Sequence, residues 1–206
     1  MVTANRGLAG GYNSNITRMI IDEGFTKENT VVYAVGKKGR ELLERKGYEI
    51  KADYSEAIND PIYKDAKEIC DDVLSALADG EVGEIYLAYT VFKNTVVHEP
   101  QLIRLLPVEA DDAAHETDGS EALMTYEPSE EEALDMIIPK YVCSLVYGAL
   151  IESVASENGA RMQAMDSATS NAEEMISTLS LKYNRARQAS ITQELTEIIA
   201  GANAIE

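Results

Sequence analysis

Residues 160–186 read Ala160-Arg161-Met162-Gln163-Ala164-Met165-Asp166-Ser167-Ala168-Thr169-Ser170-Asn171-Ala172-Glu173-Glu174-Met175-Ile176-Ser177-Thr178-Leu179-Ser180-Leu181-Lys182-Tyr183-Asn184-Arg185-Ala186. Met162, Met165, Ala168, Ala172, Ile176, Leu179, Tyr183 and Ala186 step by threes and fours. Such spacing makes a narrow apolar seam on one helix face, suited to a single partner helix. The pattern resumes at Ile191, Leu195, Ile198, Ala202 and Ile205. From Lys140 to Glu206 there is no proline, and Gly148, Gly159 and Gly201 are isolated. A straight helix of that length would span roughly 100 Å, more than a small domain's diameter. The expectation is a long helix, much of it projecting, that forms half of an antiparallel coiled coil. The sequence contains no second long helix to pair with it.

Upstream, the period changes. Thr30-Val31-Val32-Tyr33-Ala34-Val35-Gly36 is a short β-branched and aromatic run of the kind buried in a parallel sheet. Val2-Thr3-Ala4-Asn5 reads as the end of another strand, followed by a glycine turn through Gly7, Gly10 and Gly11. Helical spacing follows around Ile16, Met19 and Ile20, with Gly24 as its stop. Further helices are expected from Lys38 to Lys46 and from about Pro61 to Gly80. Further strands are expected at Tyr48–Ile50, Glu84–Val91 and Thr95–Leu106. Strands alternating with helices imply βαβ units. The fold class is therefore α/β, a Rossmann-like, mostly parallel twisted sheet with a long projecting C-terminal helix. The organisation is an α/β sheet domain over 1–107, an acidic connection over 108–139, and the helix over 140–206.

Charge narrows the function. The 206 residues carry 36 acids and 18 Lys or Arg, a net charge of −18, so nucleic acid, which needs a basic face, is excluded as a partner. Residues 108–139 hold eleven acids and no Lys or Arg, which reads as a solvated connection. The longest unbroken apolar stretch, about Val142 to Ile151, is too short for a membrane span. Cys70 and Cys143 sit in helical patterns and read as reduced thiols.

Chemistry is sparse. G-x-x-G-G at Gly7 to Gly11 is not G-x-G-x-x-G, and Asp22 falls inside a helix rather than closing a second strand, so a tight strand-to-helix turn outweighs a dinucleotide site. Gly36-Lys37-Lys38 lacks the upstream glycine of a P-loop. His98 and His115 lie apart, and the two cysteines are too separated for a zinc site. No catalytic residue, metal or cofactor is assigned.

One block is specific. Ile191-Thr192-Gln193-Glu194-Leu195-Thr196-Glu197-Ile198-Ile199-Ala200-Gly201-Ala202-Asn203-Ala204 resembles the C-terminal signature of the γ subunit of the F-type ATP synthase, I-T-x-E-x-x-E-x-x-x-G-A-x-A. Arg6-Gly7-Leu8 with Gly10, Gly11 and Asn13 resembles the family's first strand-turn. Tyr126-Glu127-Pro128 and Glu157-Asn158-Gly159-Ala160-Arg161-Met162-Gln163-Ala164-Met165 resemble later landmarks, so the likeness covers the whole chain. Ala9 stands where many members have cysteine, and Thr169-Ser170-Asn171 replaces the usual Thr-Asp-Asn.

The resemblance implies a non-catalytic central stalk that binds no nucleotide. Its coiled coil would penetrate a ring of three α and three β subunits. Its α/β body would sit with ε on the membrane c-ring, and proton-driven rotation would force the β subunits through their states. The complex would lie peripherally at the cytoplasmic face of the cell membrane. By residue, the resemblance implies a β-subunit contact at Arg187 and Gln188, and a head-tip contact at Ile198, Ala202 and Ile205. It implies a foot meeting the c-ring at Tyr126 and Glu127, beside an acidic run that either faces basic c-ring loops or is simply solvated. Members also carry a long N-terminal helix before the first strand, the antiparallel partner of the seam. The expectation is that this chain is a fragment lacking it. A nucleotide-dependent enzyme and a free-standing coiled-coil scaffold are the rival classes.

Overall fold

The computed structural model describes residues 1–108 and 129–203. The chain divides into two compact units, Met1–Gln163 and Ala164–Glu206. The expectations at Tyr126, Glu127 and Ile205, and the side chain of Ala202, lie outside the described residues.

In the first unit, β1 (Val31–Ala34) and β2 (Glu49–Asp53) form a parallel pair. They are linked by α2 (Lys37–Arg45), the crossover helix that a parallel connection needs. The pair β3 (Ile85–Phe92) and β4 (His98–Leu106) is antiparallel. Residues 1–3 lie between the two pairs. The Thr3 N–H donates to the Val35 carbonyl at 2.7 Å, and the Val2 N–H donates to the Ala88 carbonyl at 2.8 Å. The α/β class stands, but half of the strand pairing is a hairpin. Only residues 93–97 separate β3 from β4, too few for the dozen or so that a parallel crossover requires. Inside that turn the Asn94 carboxamide oxygen accepts the Val96 and Val97 N–H groups at 2.9 and 2.8 Å, which delays β4 to His98 rather than Thr95.

Alternation along the strands separates two apolar layers. Val35, Ile85, Leu87 and Leu105 face a cluster with Ile69 and Cys70 of α3 (Tyr63–Ala78) and Val142, Val146 and Leu150 further along the chain. Val32, Ala34 and Ala88 face Leu43 of α2, and Ile16 and Ile20 of α1 (Tyr12–Asp22). Helices thus cover both faces of the strands, which is why the strands read as continuous apolar runs.

The turn from β1 into α2 fits closely on residues 3–5. Gly36 adopts φ +100°, and a Cβ there would lie 2.0 Å from the Thr3 carbonyl oxygen. The Thr3 hydroxyl accepts the Gly39 N–H at 3.1 Å. The Asn5 carboxamide oxygen accepts the Lys37 N–H at 3.0 Å. The free N–H groups that open a helix are thereby occupied.

The last helix, α4, spans Glu130–Asn203 and starts upstream of the expected Lys140, with Pro139 inside it. Within Glu132–Gly201 it contains an 18-residue window of mean hydropathy 1.5, enough by length and composition to cross a bilayer. The expectation that nothing spans a bilayer rested instead on the unbroken apolar run from about Val142 to Ile151, which is shorter than that window. Val142, Cys143, Val146, Ala149 and Leu150, in the apolar run on which that expectation rested, are buried within the protein instead.

Candidate functional site

Up to Gln163, α4 is the element against which the rest of its unit packs. Val142, Cys143, Val146, Ala149, Leu150, Ser153 and Ser156 are all buried, at the three-and-four spacing of one helix face. Two hydrogen bonds fix that face. The Tyr12 hydroxyl donates to the Ser153 carbonyl at 3.1 Å, and the Ser156 hydroxyl donates to the Thr90 carbonyl at 3.2 Å. Burial pushes the Tyr12 phenol well above its ordinary range, so it stays a neutral donor. Ala160 packs on Ala4, Ala9 and Tyr12. At Gly159 a Cβ would stand 2.6 Å from the His98 ring, so the helix and the start of β4 touch there through a missing side chain. His98 also packs on Phe92, with ring centroids 5.9 Å apart. Arg161 bonds Glu157 at 2.5 Å and Asn158 at 3.3 Å along the same helix.

Cys70 and Cys143 are free and buried in the cluster between α3 and α4. Burial first, and then the neighbouring Cys143 thiol, push the Cys70 thiol up to about 12. It stays protonated and inert at neutral pH.

The unit from Ala164 onward is helix with exposed side chains. Met165, Ala168, Ala172, Ile176, Leu179 and Tyr183 are exposed, as is Met162 just before them. Ile176 and Tyr183 expose 63% and 67% of their surface, values that a covered face would not give. At 100° per residue, Met165 to Tyr183 fall within about 80° of arc, a single narrow stripe. Ile191, Leu195 and Ile198 lie roughly 100° round from its centre, because the five-residue step from Ala186 to Ile191 breaks the three-and-four spacing. Met175, Leu181 and Ile199 are also exposed apolar residues. They lie off the seam, and the seam reading did not include them. Arg187 and Gln188 are exposed beside the seam, and the Gln188 carbonyl accepts the Thr192 hydroxyl at 2.8 Å. Thr169 and Thr196 bond the carbonyls of Met165 and Thr192 in the same way, so these hydroxyls need no outside partner.

Arg187 and Gln188 come together through adjacency. The structure does not bring them to the Ile198 tip, which lies about three turns further along the helix. The small stripe Ala149, Ser153, Ser156 and Ala160 went unread in the sequence although it has the same spacing as the distal seam. So did the role of Tyr12 and the His98–Gly159 contact, which joins residues 61 positions apart.

A family model described as ATP synthase matches residues 1–205. The chain is 66% identical to the ATP synthase gamma chain of Lachnoclostridium phytofermentans, with all of this chain and 72% of that one covered. It is 42% identical to a gamma chain of Acetobacterium woodii named sodium ion specific, again covering all of this chain and 73% of the relative. Among solved structures, the Tetrahymena thermophila mitochondrial ATP synthase central stalk/c-ring has a chain with a TM-score of 0.62 at 25% identity. That match covers 82% of this chain and 74% of the other. A chain of the Euglena gracilis mitochondrial enzyme shares the fold, with a TM-score of 0.71 at 20% identity, covering 99% and 71%.

Proposed function

This chain belongs to the family of ATP synthase gamma chains, and from that premise we propose how it works as the rotary central stalk between a membrane c-ring and the α and β subunits. The observation that carries this reading is the match over residues 1–205 together with the exposed one-sided seam of α4. The chain acts as a shaft rather than a catalyst. A stalk that contacts each β state differently shifts their equilibrium, as does any ligand with differential affinity.

Functionally the chain divides into a body over 1–107, a connection and foot over 108–139, and a shaft over 140–206, with the end of the foot built as the first turns of α4. The seam from Met162 to Tyr183 receives a second helix. Arg187 and Gln188 meet a β-subunit loop, where a guanidinium can bond a carboxylate bidentately. Ile198, Ala202 and Ile205 form the tip held in the head. Tyr126 and Glu127 form the foot on the c-ring, and ε docks on the body. The complex is membrane-associated, and we place this subunit peripherally on its cytoplasmic side.

The test is assembly and coupling. The chain should co-migrate with an α3β3 subcomplex in size-exclusion chromatography. The Arg187→Ala, Gln188→Ala double variant should lower ion-driven ATP synthesis in vesicles while the α/β body stays folded by circular dichroism. Failure to co-migrate overturns the stalk assignment. Unchanged synthesis overturns the assigned contact.

A further inference from the structure

The cluster between α3 and α4 holds two thiols that the stalk reading does not use. Cys70 of α3 and Cys143 of α4 are free, and they expose 2% and 4% of their surface. Both belong to one buried cluster inside the first unit. Tyr63, at the start of α3, shows how the two helices face each other. Its ring meets the Tyr147 ring edge-on, with centroids 5.9 Å apart, and Tyr147 lies one turn beyond Cys143 on α4. The Cys143 side chain lies within reach of both the Cys70 thiol and the Tyr63 hydroxyl. Tyr63 is itself half-exposed, so its ring is the cover between Cys143 and solvent. Packed helix axes stand about 8–10 Å apart, and each Cα lies about 2.3 Å from its axis. Facing Cα atoms are then roughly 3.5–5.5 Å apart. A disulfide spans about 4.4–6.8 Å between Cα atoms, so cysteines at facing positions can be bridged with little movement of either helix.

We propose that Cys70 and Cys143 are a latent disulfide pair, which oxidises by exchange with a small disulfide when the Tyr63 ring swings aside. With the ring in place the pair is silent, because no reagent reaches it and burial pushes the Cys70 thiol up to about 12. Opening admits water and relieves that burial. Cys143, directly beneath Tyr63, reacts first. Its thiolate attacks one sulfur of the reagent RS–SR, the S–S bond breaks, and the RS⁻ released takes up the proton that Cys143 gave. The Cys70 thiolate then attacks the Cys143 sulfur of the mixed disulfide. The second RS⁻ leaves and takes the Cys70 proton. The two protein thiols together lose two electrons, and the reagent is reduced to two thiols. Because the second thiol is already in place, closure is intramolecular and fast. The link ties α3 to α4.

The reduced full chain is incubated with hydroxyethyl disulfide in native buffer and, separately, in urea, then alkylated and mapped by mass spectrometry without reduction. In native buffer the product should be the Cys70–Cys143 link, with mixed disulfide at about a tenth of it or less. In urea the thiols are far apart, and mixed disulfides at both cysteines should dominate. Tyr63→Ala should speed the native reaction by about tenfold, and Tyr63→Phe, which keeps the ring but loses the hydroxyl, by about threefold. Circular dichroism checks the fold of each, and the phenylalanine variant carries the test if the alanine variant does not fold. The linked chain should melt at a higher temperature than the reduced one. Mixed disulfide at Cys143 that accumulates without the link in native buffer overturns the proposal, because the sulfurs then do not face each other. So does an unchanged rate in the folded Tyr63 variants, or a link that joins two chains rather than one.

Discussion

Acetylating the Met1 amine should stabilise the chain in acid and have no such effect in base. The nitrogen is enclosed although Met1 as a residue is only half-buried, and it donates to the Tyr33 carbonyl at 3.0 Å. Burial holds its pKa at about 6, against an ordinary value of 8.0. The unfolded chain therefore binds more protons than the folded one between those two values. Stability must fall as the pH drops through that window, with the full penalty present below about 6. At about 1.4 kcal/mol per pH unit, the penalty is roughly 2–3 kcal/mol. An acetyl group removes the charge, keeps an N–H for Tyr33, and has an adjoining cavity to occupy. The assay is urea unfolding of the free and acetylated chains at pH 5.5 and pH 9. The stability difference between them should be larger at the lower pH by roughly 2–3 kcal/mol. The comparison cancels the carboxylates and histidines common to both forms. A difference that is the same at both pH values would refute the reasoning, because the nitrogen would then be solvated in the folded state.

Gly159→Ala should destabilise the first unit by about 1–3 kcal/mol of overpacking against His98, less about 1 kcal/mol of gained helix propensity, in urea titration. The double variant with His98→Ala should recover most of that loss, since the two buried ring nitrogens of His98 have no partner to forfeit. Gly36→Ala should abolish folding, as read by circular dichroism, because both its φ of +100° and the Thr3 carbonyl 2.0 Å from the new Cβ oppose it. In the monomeric chain, amides from 165 to 203 should exchange much faster than those of β1 and β3, because packing rather than propensity stabilises such a helix. A peptide of the family's N-terminal helix should slow them along the seam, and uniform protection without it would place the seam's cover elsewhere.

The distal seam was legible because helix period is a local property. Met165, Ala168, Ala172, Ile176, Leu179 and Tyr183 share one face whatever surrounds them, so periodicity alone identified the stripe. The closing block Ile191 to Ala204 carried the family, and the apolar run Val31 to Val35 carried the buried strand. The start of α4 was less legible. Pro139 and the acids at 130–132 read as connection, yet the chain is helical from Glu130.

What the tertiary structure alone decided is where strands and helices meet. Nothing local to Val2 says that it lies between Val35 and Ala88, because those partners come from opposite sides of two helices. Likewise Gly159 and His98 each look unremarkable in sequence, and only their approach makes the missing Cβ a packing requirement. Tyr12 anchors Ser153 across 141 positions. Period and propensity act within a few residues and are written in the sequence, whereas the pairing of edges and the closeness of backbones depend on the whole chain having packed.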